Sequence, residues 1–226
     1  MKFVLATQNP KKLTEMSAIL SDLGVEVVSE ADLGVKIEVE ETGETFAENS
    51  LLKARAVMEA TKLPAIADDS GLCVNALNGG PGVYSARFGG EGLDDAGRYR
   101  LLLEMLRGQS DRRAHFHTTI TCAFPNGDVL RADGEVQGTI AFAPMGEGGF
   151  GYDPVFFVPE KRRTFAQLTA EEMAEISHRG NALRAHLFLP CRELFVKLIE
   201  RPFDLRHGHD DHLAALTVTG GRVIIS

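Results

Sequence analysis

Two adjacent carboxylates, Asp68 and Asp69, follow the apolar run at 63–67 and precede Ser70 and Gly71. A short apolar run bounded by turn residues is typical of a buried strand, so we expect the acids at a strand end. Ligands bind beyond strand ends in open α/β sheets, and paired carboxylates repel each other until a cation or a proton relieves the repulsion. The alternative interpretation is a solvated acidic turn, because Asp, Ser and Gly favour turns.

Two lysine-bearing segments could supply cations to these acids. Residues 7–12, Thr-Gln-Asn-Pro-Lys-Lys, stand between an apolar strand and a predicted helix, where helix-terminal amides and a nearby ammonium group can bind an anion. Glu40 and Glu41 precede Lys53, which lies on the next predicted helix. The plainer alternatives are a helix N-cap by Asn9 with exposed lysines, and a surface position for Lys53.

A glycine-dense loop at 145–154 and the tripeptide Ser177-His178-Arg179 form the remaining polar clusters. Glycines allow close backbone approach, and aromatic rings among them can stack on a flat ligand. The alternative is a tight turn whose aromatic side chains fill the core. Taken together, the clusters offer acids for a divalent cation, cations for phosphates and aromatic rings for a base. Mg²⁺ prefers a few carboxylates plus the phosphate oxygens of its substrate, so the set indicates phosphoanhydride chemistry on a nucleotide.

The rest of the sequence excludes several classes of protein. No GxxxxGK[ST] motif is present, and no GxGxxG joins a predicted strand to a helix, so the chain is neither a Walker ATPase nor a Rossmann dehydrogenase. A net charge of −8 over 226 residues argues against a bulk nucleic-acid binder. No apolar run approaches the roughly 20 residues that cross a bilayer. The three cysteines form no CxxC pair, which is typical of buried thiols in a reducing cytoplasm.

The spacing of apolar residues predicts an α/β fold: a twisted mixed β-sheet flanked by helices, with a smaller lobe forming a central cleft. Strand Lys2–Ala6, a helix from Lys11 and strand Val25–Ser29 form a βαβ-like unit, which implies a parallel pair. Val35–Glu41 alternates like a half-exposed strand, and the capping box Thr45–Glu48 opens a helix. Further along, the pattern predicts a helix at Leu93–Leu106, strands at Ala114–Phe124, Val129–Val136, Gly138–Phe142 and Val155–Val158, and a helical region at Asn181–Glu200.

The tail at 202–226 differs in composition from the rest, so we expect one domain of two lobes at 1–201 followed by a tail. His207-Gly-His-Asp-Asp-His212 has the composition of a metal site, but its donors have no standard ligand spacing. Val218–Ile225, around Gly220-Gly221, is typical of an added edge strand with a hairpin turn.

Several ordered motifs are shared with a known family. They are Ala6–Lys12, Glu40–Asn49 with Lys53, Ala67–Leu72, Gly80–Arg87, Gly149–Pro154 and Ser177–Arg179. In order and spacing the chain resembles the inosine triphosphate pyrophosphatase family, which acts on non-standard purine nucleoside triphosphates, over about residues 2–189. One such motif is weak evidence, whereas the ordered set is specific.

The resemblance implies Mg²⁺-dependent hydrolysis of ITP, dITP and XTP to the nucleoside monophosphate and pyrophosphate. Glu41 and Asp69 would hold Mg²⁺, and Asp69 would also be the catalytic base. The family usually forms homodimers, and we expect a homodimer in the cytoplasm here, with Val83–Phe88 as part of the dimer contact. Neither a nucleic acid nor a membrane is expected as a partner.

The resemblance also implies a set of substrate-binding residues. Phe150 would stack on the base, whose edge Asp153, His178 and Arg179 would contact. The residues expected to bind the phosphates and the sugar are Thr7, Gln8, Asn9, Pro10, Lys11, Lys12, Lys53 and Ser70. The residues expected to bind the rest of the substrate are Phe150, Gly151, Tyr152, Asp153, Met173, His178 and Arg179.

One position departs from the family pattern. Met173 stands four residues before Ser177, where the family has a lysine that helps to hold the substrate. The departure leaves two alternatives to the expected activity. One is a nucleotide-binding protein that no longer turns over its ligand, and the other is a pyrophosphatase with altered base specificity.

Overall fold

The structure is a computed structural model that describes residues 2–90, 92–184, 215–219 and 222–225. Its strands are β1 Lys2–Leu5, β2 Glu26–Ser29, β3 Ala65–Val74, β4 Arg113–Ala123, β5 Val129–Ile140, β6 Phe156–Val158, β7 Arg163–Thr164, β8 Ala215–Thr219 and β9 Arg222–Ile225. Its helices are α1 Pro10–Asp22, α2 Phe46–Thr61, α3 Asp95–Met105, α4 Ala170–Ile176 and α5 His178–Asn181.

The strands form an open mixed sheet in the order β2-β1-β3-β4-β5-β6-β7. β1 is parallel to β2, as the βαβ-like pattern predicted. It is also parallel to β3, whereas β6 is antiparallel to both β5 and β7. In the C-terminal tail, β8 runs parallel to β5 and antiparallel to β9, which confirms the added strand and its return. The predicted α/β class is therefore confirmed, while the central cleft stays a prediction.

The described residues group into two compact units. The first unit draws on Met1–Asp69, Thr119–Gly134 and Arg179–Ser226, and the second on Ser70–Thr118 and Glu135–His178. Because the divisions fall inside β3, β4 and β5, each of these strands contributes residues to both units.

Each unit has its own apolar core. In the first, small and branched side chains of β1, β3 and β4 pack against α2, namely Val4, Ala6, Ala54, Val57, Ala65, Ala67 and Ala123. In the second, strand residues and α3 bury larger side chains, including Leu72, Leu102, Leu106, Phe116, Tyr152, Phe156 and Phe165. The apolar spacing of the helix predicted at Leu93–Leu106 implies that Tyr99, Leu102, Leu103 and Leu106 face inward. This is confirmed, since Tyr99 and Leu103 also pack against this cluster.

The segment Val35–Glu41 is not a strand, contrary to the prediction. Its main-chain groups bond to side chains instead of to a neighbouring strand: Ile37 N donates to Glu30 Oε2 at 2.9 Å, and Gln8 Nε2 donates to the Ile37 carbonyl at 2.9 Å. The alternation in the sequence therefore reflects half-burial of an irregular segment and not sheet pairing.

The predicted strands at 129–136 and 138–142 form one strand, β5, which ends at Ile140. Gly138, predicted as the first residue of the second strand, has a packing role within β5. A Cβ atom at this position would lie 2.6 Å from the Phe156 ring and 2.7 Å from the Phe157 carbonyl oxygen. Gly138 thus allows β6 to approach β5 closely.

Three predictions lie outside the described residues: the helical region beyond position 184, the possible metal ligands at 207–212, and the burial of Cys191. Of the other cysteines, Cys122 is buried and Cys73 is partly buried. In the part of the chain that the structure describes, no helix is both long enough and apolar enough to span a membrane.

Candidate active site

The paired acids lie inside β3 and not at a strand end, because β3 continues from Ala65 to Val74. Successive residues of a strand point to opposite faces, so Asp68 and Asp69 have different neighbours. Asp68 is 2% exposed and Asp69 is 6% exposed, which contradicts a solvated acidic turn. The two carboxylates are therefore separated by the geometry of the strand, and each requires its own partners.

Asp68 lies between two cations. Its Oδ2 is 2.9 Å from Lys12 Nζ and 3.0 Å from Arg179 Nε, and Arg179 also reaches Glu15 Oε2 at 2.9 Å. Burial alone would raise the pKa of the Asp68 carboxyl, but Lys12 and Arg179 outweigh burial and hold this pKa well below its ordinary value. Asp68 is thus a charged anchor for two cations and is poorly suited to accept a proton.

Asp69 has a different set of partners. Its Oδ2 accepts a hydrogen bond from Asn49 Nδ2 at 3.2 Å, and its Oδ1 is 3.4 Å from Lys53 Nζ. The same ammonium group is 2.7 Å from Glu41 Oε1. Asn49 and Lys53 are four residues apart on α2, a spacing that places both on one face of the helix. One lysine therefore contacts both carboxylates to which the sequence assigned a metal.

The electrostatic state of Asp69 contrasts with that of Asp68. Burial raises the pKa of the Asp69 carboxyl above its ordinary value, and the Glu41 charge adds to this, while Lys53 and Lys12 act in the opposite direction. Burial opposes charge on Lys53, yet the surrounding carboxylates raise the pKa of its ammonium group. A raised pKa makes a carboxylate a stronger base, which suits Asp69 to accept a proton.

Glu41 and Asp69 meet one condition for holding a divalent cation, because their oxygens converge on the Lys53 ammonium group, at 2.7 and 3.4 Å. Within residues 2–90 and 92–184, no group of three or more His, Cys, Asp or Glu side chains could hold a metal ion alone. Two carboxylates fit Mg²⁺ when phosphate oxygens of a ligand complete its coordination. Glu41 and Asp69 therefore fit Mg²⁺ when a ligand supplies phosphate oxygens.

The first turn of α1 is organised by Asn9. Its Oδ1 accepts hydrogen bonds from the main-chain amides of Lys11 and Lys12 at 2.9 and 3.3 Å, and its own amide donates to Thr7 Oγ1 at 3.2 Å. The N-cap interpretation is therefore correct, and these amides are already bonded. This turn contributes the Lys12 ammonium group, which pairs with Asp68.

The other two residues of this segment support the turn. Pro10 occupies the first position of α1, where a residue without an N–H loses no hydrogen bond. Gln8 is exposed, and its side-chain amide holds the irregular segment at Ile37.

The glycine-dense loop at 145–154 is held by two carboxylates. Phe150 N donates to Asp153 Oδ2 at 2.8 Å within the loop, and Gly151 N donates to Asp95 Oδ2 at 2.8 Å. Asp95 lies in the first turn of α3. Asp153 is buried, so one of its oxygens already serves to shape the loop.

Tyr152 anchors the same loop in the core of the second unit. Its ring is 4% exposed and joins the apolar cluster, and its hydroxyl donates to the Ser85 carbonyl at 2.9 Å. Burial raises the pKa of this hydroxyl above its ordinary range, so it stays a donor. The interpretation of Tyr152 as a core aromatic side chain accounts for these contacts.

His178, the first residue of α5, stacks on an aromatic column. Its ring centroid is 5.0 Å from that of Phe116 with an interplanar angle of 12°, and Phe116 stacks on Phe165 at 5.7 Å. Met173 is partly buried and packs against the same apolar cluster. Met173, where the resemblance implied a lysine, therefore makes an apolar contact.

The structure distributes the predicted residues between the units. Thr7–Lys12, Glu41, Lys53, Asp69 and Arg179 lie in the first unit, and Ser70, Phe150, Gly151, Tyr152, Asp153, Met173 and His178 lie in the second. Arg179 was predicted to contact the base edge, but its guanidinium lies against Asp68. Ser70 donates to Thr118 Oγ1 at 2.7 Å.

Three residues with contacts to predicted site residues received no role from the sequence, namely Asn49, Asp95 and Thr118. Ser85, which accepts the Tyr152 hydroxyl, was predicted only as part of a dimer contact. Asn49 could have been found, because it precedes Lys53 by four positions on a capped helix. Asp95 follows the N-cap residue Asp94 and carries no signal of its own, since acids are common in a first helical turn.

The structure thus combines an open α/β sheet with two adjacent carboxylates in opposite electrostatic states, Asp68 with a lowered pKa and Asp69 with a raised pKa. The chain belongs to the Ham1 family, whose model matches residues 3–188. A "dITP/XTP pyrophosphatase" from Thermus thermophilus is 51% identical over 189 residues, 83% of this chain and 90% of that protein. A protein of the same name from Escherichia coli K12 is 49% identical over 187 residues, 81% of this chain and 94% of that protein.

Solved structures agree with this assignment. The Staphylococcus aureus Ham1 protein has a TM-score of 0.74 at 40% identity, covering 88% of this chain and 100% of that one. A HAM1 protein from Coxiella burnetii has a TM-score of 0.74 at 43% identity, covering 88% and 99%. The resemblance inferred from the motifs is confirmed.

Proposed function

We propose that the protein hydrolyses dITP, ITP and XTP to the nucleoside monophosphate and pyrophosphate, and so removes these nucleotides from the precursor pool. The observation that carries the proposal is the buried Asp69, whose raised pKa and shared contact with Lys53 and Glu41 suit it to activate water beside a phosphate. The proposal is supported by relatives named dITP/XTP pyrophosphatases, which are about 50% identical in sequence over most of the chain.

In the proposed reaction, Asp69 accepts a proton from a water molecule whose oxygen attacks the α-phosphorus. The bond between this phosphorus and the bridging oxygen breaks, and pyrophosphate leaves with the electron pair. Lys12 and Lys53 bind the phosphates. We assign Arg179 to the phosphates as well, because its guanidinium shares Asp68 with Lys12. Positioning and charge neutralisation supply most of the catalysis in phosphate chemistry.

We propose Mg²⁺ as the cofactor, with Glu41 and Asp69 as its protein ligands. When bound, the ion neutralises charge on the phosphate oxygens. Glu41 and burial both raise the pKa of the Asp69 carboxyl, so a positive charge beside it would stabilise its ionised form. This supports a cation bound at Asp69. Glu41→Gln is therefore expected to increase the Mg²⁺ concentration required for half-maximal activity, and the thermal stabilisation that Mg²⁺ gives with a bound nucleotide should decrease with it.

For the base, we propose stacking on Phe150 and edge contacts from Asp153 and His178. A 6-keto purine presents an acceptor where adenine presents a donor, and a mismatch leaves a buried polar group unpaired, which is strongly unfavourable. Met173 supplies neither charge nor hydrogen bond, so we expect weaker substrate binding than a lysine would give.

We also propose that the enzyme is a cytoplasmic homodimer and that residues 1–201 form its catalytic domain. The dimer is the commonest symmetric assembly. Light scattering on the purified chain would measure its mass directly, and a truncation after position 201 that keeps full activity would support the domain boundary.

The substrate panel is the main test. With Mg²⁺, pyrophosphate release from ITP should exceed release from ATP by about 100-fold or more, the range that a buried unpaired polar group produces. Guanine shares the 6-keto group of hypoxanthine, so discrimination against GTP must come from its 2-amino group, and release from ITP should exceed release from GTP as well. Equal rates with the three nucleotides would reject the proposed selectivity.

The apolar packing of Met173 keeps one alternative open, a nucleotide-binding protein without turnover. An increase in melting temperature with ITP, but no product over hours, would favour it. Met173→Lys should then restore turnover, whereas Met173→Leu, the matched apolar control, should not.

A further inference from the structure

The helical turn Gly82–Arg87 overlaps the segment Val83–Phe88, which was predicted to be part of a dimer contact, and its residue Ser85 faces inward. Ser85 is 7% exposed. Its Oγ donates to the Gly82 carbonyl at 2.6 Å and accepts a hydrogen bond from Leu72 N at 2.9 Å. One hydroxyl therefore closes the turn on itself and attaches it to β3.

The attachment to β3 falls two residues after Ser70, which follows Asp69, the proposed catalytic base. At Gly71 a Cβ atom would lie 2.1 Å from the Gly82 carbonyl oxygen and 2.7 Å from Ser85 Oγ. Main-chain atoms cannot move aside as a flexible side chain can, so only glycine permits this approach. The turn and this part of β3 are thus in direct main-chain contact.

The main chain of Ser85 makes the second attachment. Its carbonyl accepts the Tyr152 hydroxyl at 2.9 Å in the buried core, and Tyr152 belongs to the glycine-dense loop, two residues after Phe150. All these residues belong to the second unit. Ser85 therefore connects the stretch Ser70–Leu72 to the loop proposed to contact the base.

We propose that Ser85 is a positioning residue that sets the base-binding loop relative to Ser70, and that it thereby contributes to selection of the base. This inference rests on the proposed pyrophosphatase activity. Ser85 acts through Leu72 and Tyr152 and touches no substrate. Because Ser85 acts on the loop proposed to bind the base and not on the reacting phosphate, loss of either attachment should weaken binding of the base, which raises KM and leaves kcat nearly unchanged.

Steady-state kinetics on Ser85→Ala and Tyr152→Phe test the proposal, with ITP and GTP as paired substrates. Each variant should raise KM for ITP by about 3- to 10-fold, the size expected from one lost hydrogen bond, with kcat nearly unchanged. The ratio of kcat/KM for ITP to that for GTP should fall in both. Ser85→Thr, which keeps the hydroxyl, should recover the ratio.

Two further variants separate positioning from simple stability. Tyr84→Phe, in the same turn but 56% exposed, is the matched control and should leave KM and the substrate ratio unchanged. In the Ser85→Ala/Tyr152→Phe double variant the effects should be non-additive, because both changes interrupt one connection. Tyr152→Phe removes a single hydroxyl and keeps the test available if Ser85→Ala fails to fold.

A lower melting temperature with an unchanged KM and an unchanged ITP-to-GTP ratio would overturn the positioning role and leave Ser85 as a purely structural residue. If the wild-type chain releases no pyrophosphate from ITP, the proposed function fails separately. Calorimetric binding of ITP would then decide the positioning role: a weaker Kd in both variants supports it, and an unchanged Kd rejects it.

Discussion

The charged cluster of the first unit and the glycine-dense loop of the second are held by different forces. Around Asp68, buried ion pairs join Lys12, Arg179 and Glu15. The loop instead depends on individual hydrogen bonds, such as that of Tyr152. Removing one partner of a buried ion pair costs about 3–5 kcal/mol, whereas a typical hydrogen bond contributes about 1 kcal/mol. The cluster is therefore suited to fixed charges and the loop to fine discrimination.

The cluster itself contains a second contrast, between Asp68 and Asp69. Neighbouring cations lower the pKa of Asp68, while burial and Glu41 raise the pKa of Asp69. Adjacent residues of one strand thus differ in role: Asp68 orders cations, and Asp69 is available for a proton. Variants of Asp69 and Asp68 separate these two roles, and a variant of Asp95 tests the loop against the cluster.

The largest effect is expected from Asp69→Asn. It should lower kcat/KM for ITP by about two to four powers of ten, the usual contribution of a general base. Circular dichroism and the melting temperature should stay close to those of the wild type, because the amide keeps the size of the side chain. Activity within about tenfold of the wild type, less than a general base contributes, would assign the base elsewhere.

Asp68→Asn should act mainly on stability. It leaves Lys12 and Arg179 without their shared carboxylate, so urea unfolding at neutral pH should show a loss of about 3–5 kcal/mol. Because the folded pKa of Asp68 lies below the unfolded value, its contribution is present above the unfolded pKa and is lost as pH falls through the folded pKa. The free energies of unfolding of the wild type and of Asp68→Asn should therefore become more similar as the pH falls. A difference between them that stays constant with pH would contradict this account.

The titration of Asp69 in the metal-free protein should show the effect of its neighbours. Burial and Glu41 hold the pKa of its carboxyl above the ordinary aspartate value, and NMR of the carboxyl carbon measures this pKa directly. Glu41→Gln removes a neighbouring negative charge and should lower the pKa of Asp69. An unchanged pKa in the Gln variant would show that the Glu41 charge does not reach Asp69.

The smallest effect is expected at the loop. Asp95→Ala removes the acceptor of the Gly151 amide, in an exposed position, and should raise KM for ITP by about 2- to 5-fold, at the lower end of hydrogen-bond contributions. Asp94→Ala, which removes the cap of the same helix, is the control: it should lower the melting temperature without changing KM. If Asp95→Ala and Asp94→Ala change KM equally, the loss of helix stability alone explains the change.

The sequence by itself determined the α/β class, the family and most candidate residues. Capping boxes such as Thr45–Glu48 and the apolar face of α3 are encoded by consecutive residues, and the structure has both. Local patterns were misleading at Val35–Glu41, because alternation cannot reveal that side chains of Glu30 and Gln8 satisfy the main chain.

Only the tertiary structure decided which charges meet. Lys12 and Arg179 reach Asp68 across 56 and 111 residues of sequence, and packing of the sheet and helices, not spacing along the chain, brings them together. The same packing directs Asp68 and Asp69 to opposite faces of β3, which gives two identical side chains opposite shifts in pKa. The residue types were written in the sequence, but their electrostatic roles depended on the neighbours that the fold supplied.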